Sequence, residues 1–190
     1  MPFPYKSLSL SVIETQKNIM GKFINPFTDY GFKKIFGQEV SKELLIEFLN
    51  DLLEGERVIT DLTFLNNEQL PIYPGERIAI YDIFCTTDTG EKIIVEMQNR
   101  SQVYFKERAL YYLSHAIVRQ GVKGESWKFD IKAVYGVFFI NFLLDENQKL
   151  RTDVILTDRD TGKLFSDKLR QIFIAVSYTH LRAHETCADL

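Results

Sequence analysis

The chain has 190 residues, 45% hydrophobic and 13% aromatic, and its 26 acids against 23 bases give a formal net charge of −3. That size and composition predict one folded domain with a real core, exclude a low-complexity chain, and argue against capture of nucleic acid by bulk charge. The longest apolar run, Ala133 to Ile140, is far too short to span a membrane, no secretion signal is legible, and two cysteines give neither metal spacing nor a disulfide framework, so the cytoplasm is the default location.

Residues 1–20 are weakly patterned and read as an extension outside the fold, with Met20 an alternative start. Phe23 to Gly37 predicts a turn and a short helix, capped by Thr28 or Asp29 and stopped by Gly37. A longer helix is predicted from its cap at Ser41 to Gly55, with Glu43 in its first turn. Its apolar stripe of Leu44, Leu45, Phe48, Leu49, Leu52 and Leu53 at helical spacing marks core. Val58 to Leu65 predicts a strand, followed by a loop through Pro71 and Pro74-Gly75.

Arg77 to Asn99 is the centre of the chain. Two runs rich in β-branched and aromatic residues flank Asp88-Thr89-Gly90, a composition that suits a three-residue hairpin loop with Gly in the left-handed position. A ladder centred on Thr89 sets Asp82 opposite Glu96 and Ile80 opposite Gln98. Directly opposed like charges are destabilising, and the neighbours on that face, Ile78, Phe84 and Ile94, are apolar. Two carboxylates so placed suit a hard divalent cation such as Mg²⁺, which takes one or two protein carboxylates and completes its shell with water and phosphate oxygens. A two-residue loop or a bulge would instead set Asp82 opposite Met97, on the other face. The same spacing also fits a solvated strand face carrying incidental acids.

Tyr104 to Gln120 predicts a second amphipathic helix, ended by Gly121, with Phe105, Ala109, Leu113, Ala116, Ile117 and Gln120 inward. Arg108, Tyr112, His115 and Arg119 form another side. Between Asn99 and Ala133 seven bases outnumber three acids, so this stripe is a candidate phosphate grip. An ordinary solvated helix face reads the same way, and His115 alone does not argue for catalysis. Ile131 to Leu144, broken by Gly136, predicts a strand buried on both faces and reached by that helix as a crossover. Arg151 to Val176 has room for further strands around a second Asp160-Thr161-Gly162 turn. From Ser177 the pattern is lost. Residues 177–190 resemble a translated adapter sequence, and His180 and His184 are not read as zinc ligands.

The order helix, three strands, helix, strand, with Asp82 on one strand and Glu96-Met97-Gln98 on the next, resembles the PD-(D/E)XK nuclease core, with Gln98 where lysine usually stands. The chain further resembles the Rpn family of recombination-promoting nucleases, also labelled PD-(D/E)XK nuclease family transposases. Four segments carry this: Thr28-Asp29-Tyr-Gly-Phe32-Lys33-Lys-Ile-Phe36-Gly37, Phe48-Leu49-Asn50-Asp-Leu-Leu53, Tyr81-Asp82 with Ile94-Val-Glu96-Met97-Gln98, and Arg108-Ala-Leu-Tyr111-Tyr112-Leu-Ser114. The likeness runs from about Gly21 to Val176; family members usually continue further.

The resemblance implies an α/β, restriction-endonuclease-like αβββαβ core over residues 21–176 with a mixed central sheet flanked by helices. It implies an endonuclease of mobile-element type acting on DNA. Asp82, Glu96 and the backbone carbonyl of Met97 would hold Mg²⁺ or Mn²⁺, and Gln98 would take the water-orienting place. Asp29, Lys33, Arg108, Tyr112 and Arg119 are the expected nucleic-acid contacts. No membrane and no small-molecule cofactor are implied, and a homodimer is compatible. The competing reading is an inactive truncated remnant or a non-catalytic nucleic-acid-binding module.

Overall fold

Helix signals in the first third of the chain operate largely as composition predicts. In the computed structural model, which describes residues 28–124, 127–145 and 149–176, the chain divides between Ile59 and Thr60 into two compact units. The predicted extension 1–20 and the tail 177–190 lie outside the described residues.

The first unit holds α1 (Asp29–Phe36) and α2 (Lys42–Leu52). Thr28 Oγ1 accepts the Gly31 N–H at 3.0 Å, and the Gly37 N–H closes the helix on the Lys33 carbonyl at 2.9 Å. Ser41 stands at the start of α2 but does not cap it. A 3₁₀ turn at Glu39–Ser41 leads in, and the serine hydroxyl donates back to the Gln38 carbonyl at 3.1 Å. Leu45, Leu49, Leu52 and Leu53 are buried, and Ile46 joins them. The helix stops at Leu52, short of Gly55. Asn50 then clasps Ile59 through its amide, accepting the Ile59 N–H at 2.7 Å and donating to its carbonyl at 2.9 Å.

The second unit is built on a six-stranded mixed sheet. Its strands are β1 (Leu62–Phe64), β4 (Ile83–Thr87), β5 (Lys92–Gln98), β6 (Val134–Ile140), β8 (Leu164–Ala175) and β7 (Arg151–Thr157), in that spatial order. β5, β6 and β8 are parallel, and the remaining pairings are antiparallel. A separate two-stranded sheet joins β2 (Glu68–Gln69) to β3 (Ala79–Ile80). The predicted strand from Val58 shrinks to three residues because Val58 is 80% exposed and pairing begins only at Leu62.

β6 is buried along its whole length, as a strand covered on both faces must be. Helix α3 (Phe105–Val118) is the crossover that parallel pairing of β5 and β6 requires. It packs against β6 where Gly136 lacks a side chain: a Cβ there would lie 2.6 Å from Leu113 Cδ1 and 2.6 Å from Phe138 Cε2. Tyr81, Phe84, Phe105, Leu113, Phe138 and Phe173 belong to one core cluster. Cys85 is buried in the sheet, and burial pushes its thiol up to about 12, so it stays protonated and inert. Among the described residues no helix is long and apolar enough to cross a membrane.

Candidate active site

The β4–β5 hairpin sets the geometry. Gly90 (φ +95°) supplies the left-handed residue of the loop; its N–H bonds the Thr87 carbonyl, and the Thr87 N–H bonds the Glu91 carbonyl, each at 3.0 Å. Cys85 faces Ile93, Phe84 faces Ile94 and Ile83 faces Val95. That is the register of a three-residue loop centred on Thr89, and it directs Asp82 toward Glu96.

The ladder then stops. With Thr87 bonded to Glu91, antiparallel alternation makes Ile83–Val95 a hydrogen-bonded pair and Tyr81–Met97 the next. Instead the Tyr81 N–H goes to the Asn67 carbonyl at 3.0 Å, and the Met97 N–H is taken by Asp82 Oδ2 at 2.9 Å. The Asp82 N–H goes in turn to Glu96 Oε1 at 2.9 Å. The expected pairing of Ile80 with Gln98 does not occur: Ile80 pairs with Glu68 in the small sheet, because Asn67 draws the chain away from β5 at Tyr81.

Asp82 and Glu96 are thereby brought together. Each gives one carboxylate oxygen to a backbone N–H of the opposite strand, and Glu96 is 7% exposed. Their charge is felt nearby. Burial, reinforced first by Glu96, raises the Tyr112 hydroxyl above its ordinary range while Arg108 opposes the shift. The Tyr81 hydroxyl, raised mainly by burial, donates to the Tyr112 carbonyl at 3.3 Å, with the two rings edge-on at 5.1 Å.

Gln98 follows on β5, and both ends of its amide are engaged. Nε2 donates to the Arg100 carbonyl at 2.7 Å, and Oε1 accepts from Arg108 Nη2. Arg108 also bonds Gln102 Oε1 at 2.6 Å and lies over the Tyr112 ring at 5.9 Å. The guanidinium therefore stands against the Gln98 amide.

The rest of the predicted cationic stripe has different work. His115 is 5% exposed, not on a solvated face. Its Nδ1 accepts from Arg119 Nε at 3.3 Å, which puts the proton on Nε2, 3.3 Å from Glu76 Oε1 though without a well-formed hydrogen bond. Burial and then Arg119 hold the imidazole below its ordinary range, against the pull of Glu76. Arg119 Nη2 also donates to the Leu70 carbonyl, and the Tyr111 hydroxyl donates to the Arg77 carbonyl at 3.1 Å. Tyr111, His115 and Arg119, four residues apart on one side of α3, thus fasten the loop that joins β2 to β3. Asp29 and Lys33 belong to α1, in the first unit.

Sequence reasoning missed Asn67 and Glu76, and the bond by which Tyr111 fastens the loop. Polar residues around the Pro-Gly loop were visible, but their partners lie 10 to 40 positions away, roughly, and a single sequence carries no sign of that pairing.

The donor set suits a hard divalent cation. Asp82 and Glu96 supply oxygen, and the Met97 carbonyl lacks the ladder donor that Tyr81 would have given. Among the described residues no group of three or more His, Cys, Asp or Glu could hold a metal, so a cation here would depend on backbone, water and phosphate oxygens as well. A family model described as PD-(D/E)XK nuclease family transposase matches residues 26–190. No curated protein matches the chain.

Proposed function

Because this chain belongs to the PD-(D/E)XK nuclease family transposases, we propose that it is a divalent-metal-dependent endonuclease that hydrolyses phosphodiester bonds in DNA in a mobile-element or recombination setting. The observation that supports the reading is the broken ladder, at which Asp82 Oδ2 takes the Met97 N–H and Glu96 Oε1 takes the Asp82 N–H.

In this reading Asp82, Glu96 and the Met97 carbonyl hold Mg²⁺ or Mn²⁺. The cation supplies Lewis-acid polarisation of the scissile phosphate and a lowered pKa for a water. The chain's own residues do the rest. The Met97 and Asp82 N–H groups fix the two carboxylates before substrate arrives, so no reorganisation is needed at the moment of reaction. Gln98 is neutral and cannot supply the cation that lysine brings to this position. It aims Arg108 instead, and the guanidinium steadies charge developing on the phosphate. Tyr112 forms the wall of the site beneath Arg108. Arg119 and Lys33 remain candidate contacts to the DNA backbone, Arg119 in addition to its bond to Leu70, and Asp29 remains a candidate nucleic-acid contact.

Nicking of supercoiled plasmid with Mg²⁺, with Mn²⁺ and with EDTA tests this reading. Metal-dependent nicking that disappears in Asp82→Asn supports it; DNA binding without nicking supports a non-catalytic module.

A further inference from the structure

We propose that Asn67 is the positioning residue of this site: its main-chain carbonyl ends the β4–β5 ladder at Tyr81, its side-chain amide stands in for a strand peptide on either side of Asp82, and together they set the Asp82 carboxylate against the Met97 N–H. The proposal rests on the reading of Asp82 and Glu96 as cation ligands.

β1 leaves the sheet after Leu65, whose N–H still bonds the Phe84 carbonyl at 2.7 Å. A continuing strand would take the Phe84 N–H in return. Asn67 Oδ1 takes it at 3.1 Å, and Asn67 Nδ2 donates to the Asp82 carbonyl at 2.9 Å. An acceptor and a donor facing residues two apart is what an antiparallel neighbour offers β4 on this edge. The main chain of the same residue accepts the Tyr81 N–H. One residue therefore holds Tyr81, Asp82 and Phe84, the backbone on either side of the acid.

Few other side chains could do this. Aspartate has only acceptors when ionised, serine is too short to span both backbone groups, and glutamine carries an extra methylene. Asn67 is itself held from both sides. Asn66 Oδ1 accepts the Glu68 N–H at 3.0 Å, and the loop that joins β2 to β3 is fastened to α3 by Tyr111 and Arg119.

The test compares Asn67→Ala with Asn50→Ala, which removes a similar amide clasp from Ile59 in the first unit. Amide hydrogen exchange without metal and calorimetric titration with Mn²⁺ are read on both. Asn67→Ala is expected to expose the Met97 amide to exchange while Ile93 stays protected, and to weaken Mn²⁺ binding by about 10–100-fold, the usual effect of losing a group that orients a metal ligand. Asn50→Ala is expected to leave both readings as in the wild type. Asn67→Ser, read the same way, preserves the test if Asn67→Ala does not fold. Unchanged Met97 exchange and unchanged Mn²⁺ affinity overturn the positioning role alone. A wild-type chain that binds no Mn²⁺ overturns the metal reading along with it.

Discussion

The backbone N–H of Asp82 donates to the Glu96 side chain, Oε1 at 2.9 Å. An acid whose main chain is held by a second acid, and whose own carboxylate is held one residue further along the second strand, has little freedom to move away from it. Acids opposed across neighbouring strands in this way cost stability that an uncharged pair would recover.

Asp82→Asn and Glu96→Gln should therefore separate activity from stability. Each keeps an oxygen that can accept its backbone N–H, so the fold persists. Relief of like-charge repulsion raises unfolding free energy in EDTA by roughly 0.2–1 kcal/mol. Nicking falls by more than about 100-fold, since loss of even an outer-shell partner costs 10–100-fold. Thermal melts in EDTA beside plasmid assays in Mg²⁺ check both halves.

Arg108 should matter because Gln98 cannot carry charge. Arg108→Ala is expected to lower kcat by about 10²–10³-fold, the scale for one preorganised electrostatic group. Gln98→Lys places a cation directly and should retain activity. In that background Arg108→Ala should cost much less, and a kinetic double-mutant cycle reads the difference. Equal losses in both backgrounds would mean that the arginine acts independently of position 98.

His115 gives the second unit a pH dependence. Its folded pKa lies below the unfolded value of about 6.5, so between those two values the unfolded chain binds more protons. Stability then rises with pH through this window, and is lost as pH falls below about 6.5. Urea unfolding at pH 7.5 and 5.5 should show the loss in the wild type and a smaller one in His115→Gln.

Gly136→Ala should destabilise by about 1–3 kcal/mol, since the new methyl would meet Leu113 and Phe138 at 2.6 Å. Leu113→Ala in the same chain should return part of that loss. Denaturant midpoints of the two single variants and the double variant measure it.

Much of this was legible because local rules dominate where the chain is regular. The Thr28 cap, the stripe of α2, the Gly90 turn and the buried run of β6 each follow from residue type and period. The turn offered the register that aligns the acids, beside the shifted one that a two-residue loop or a bulge would give, because loop length fixes register. What the sequence did not disclose is where the ladder breaks. Nothing local to Tyr81 marks it, since the cause is Asn67, fourteen places earlier by the numbering, whose main-chain carbonyl takes the Tyr81 N–H while its side chain holds Asp82 and Phe84. His115 misled for a similar reason: its helix position suits a solvated stripe, but loop residue Glu76 lies against it.

The most direct measurement is calorimetric titration of Mn²⁺ into the wild type and into the Asp82→Asn/Glu96→Gln double variant. A cation shared by the two carboxylates predicts saturable binding to the wild type and none to the folded double variant. Equal binding by both proteins would contradict it.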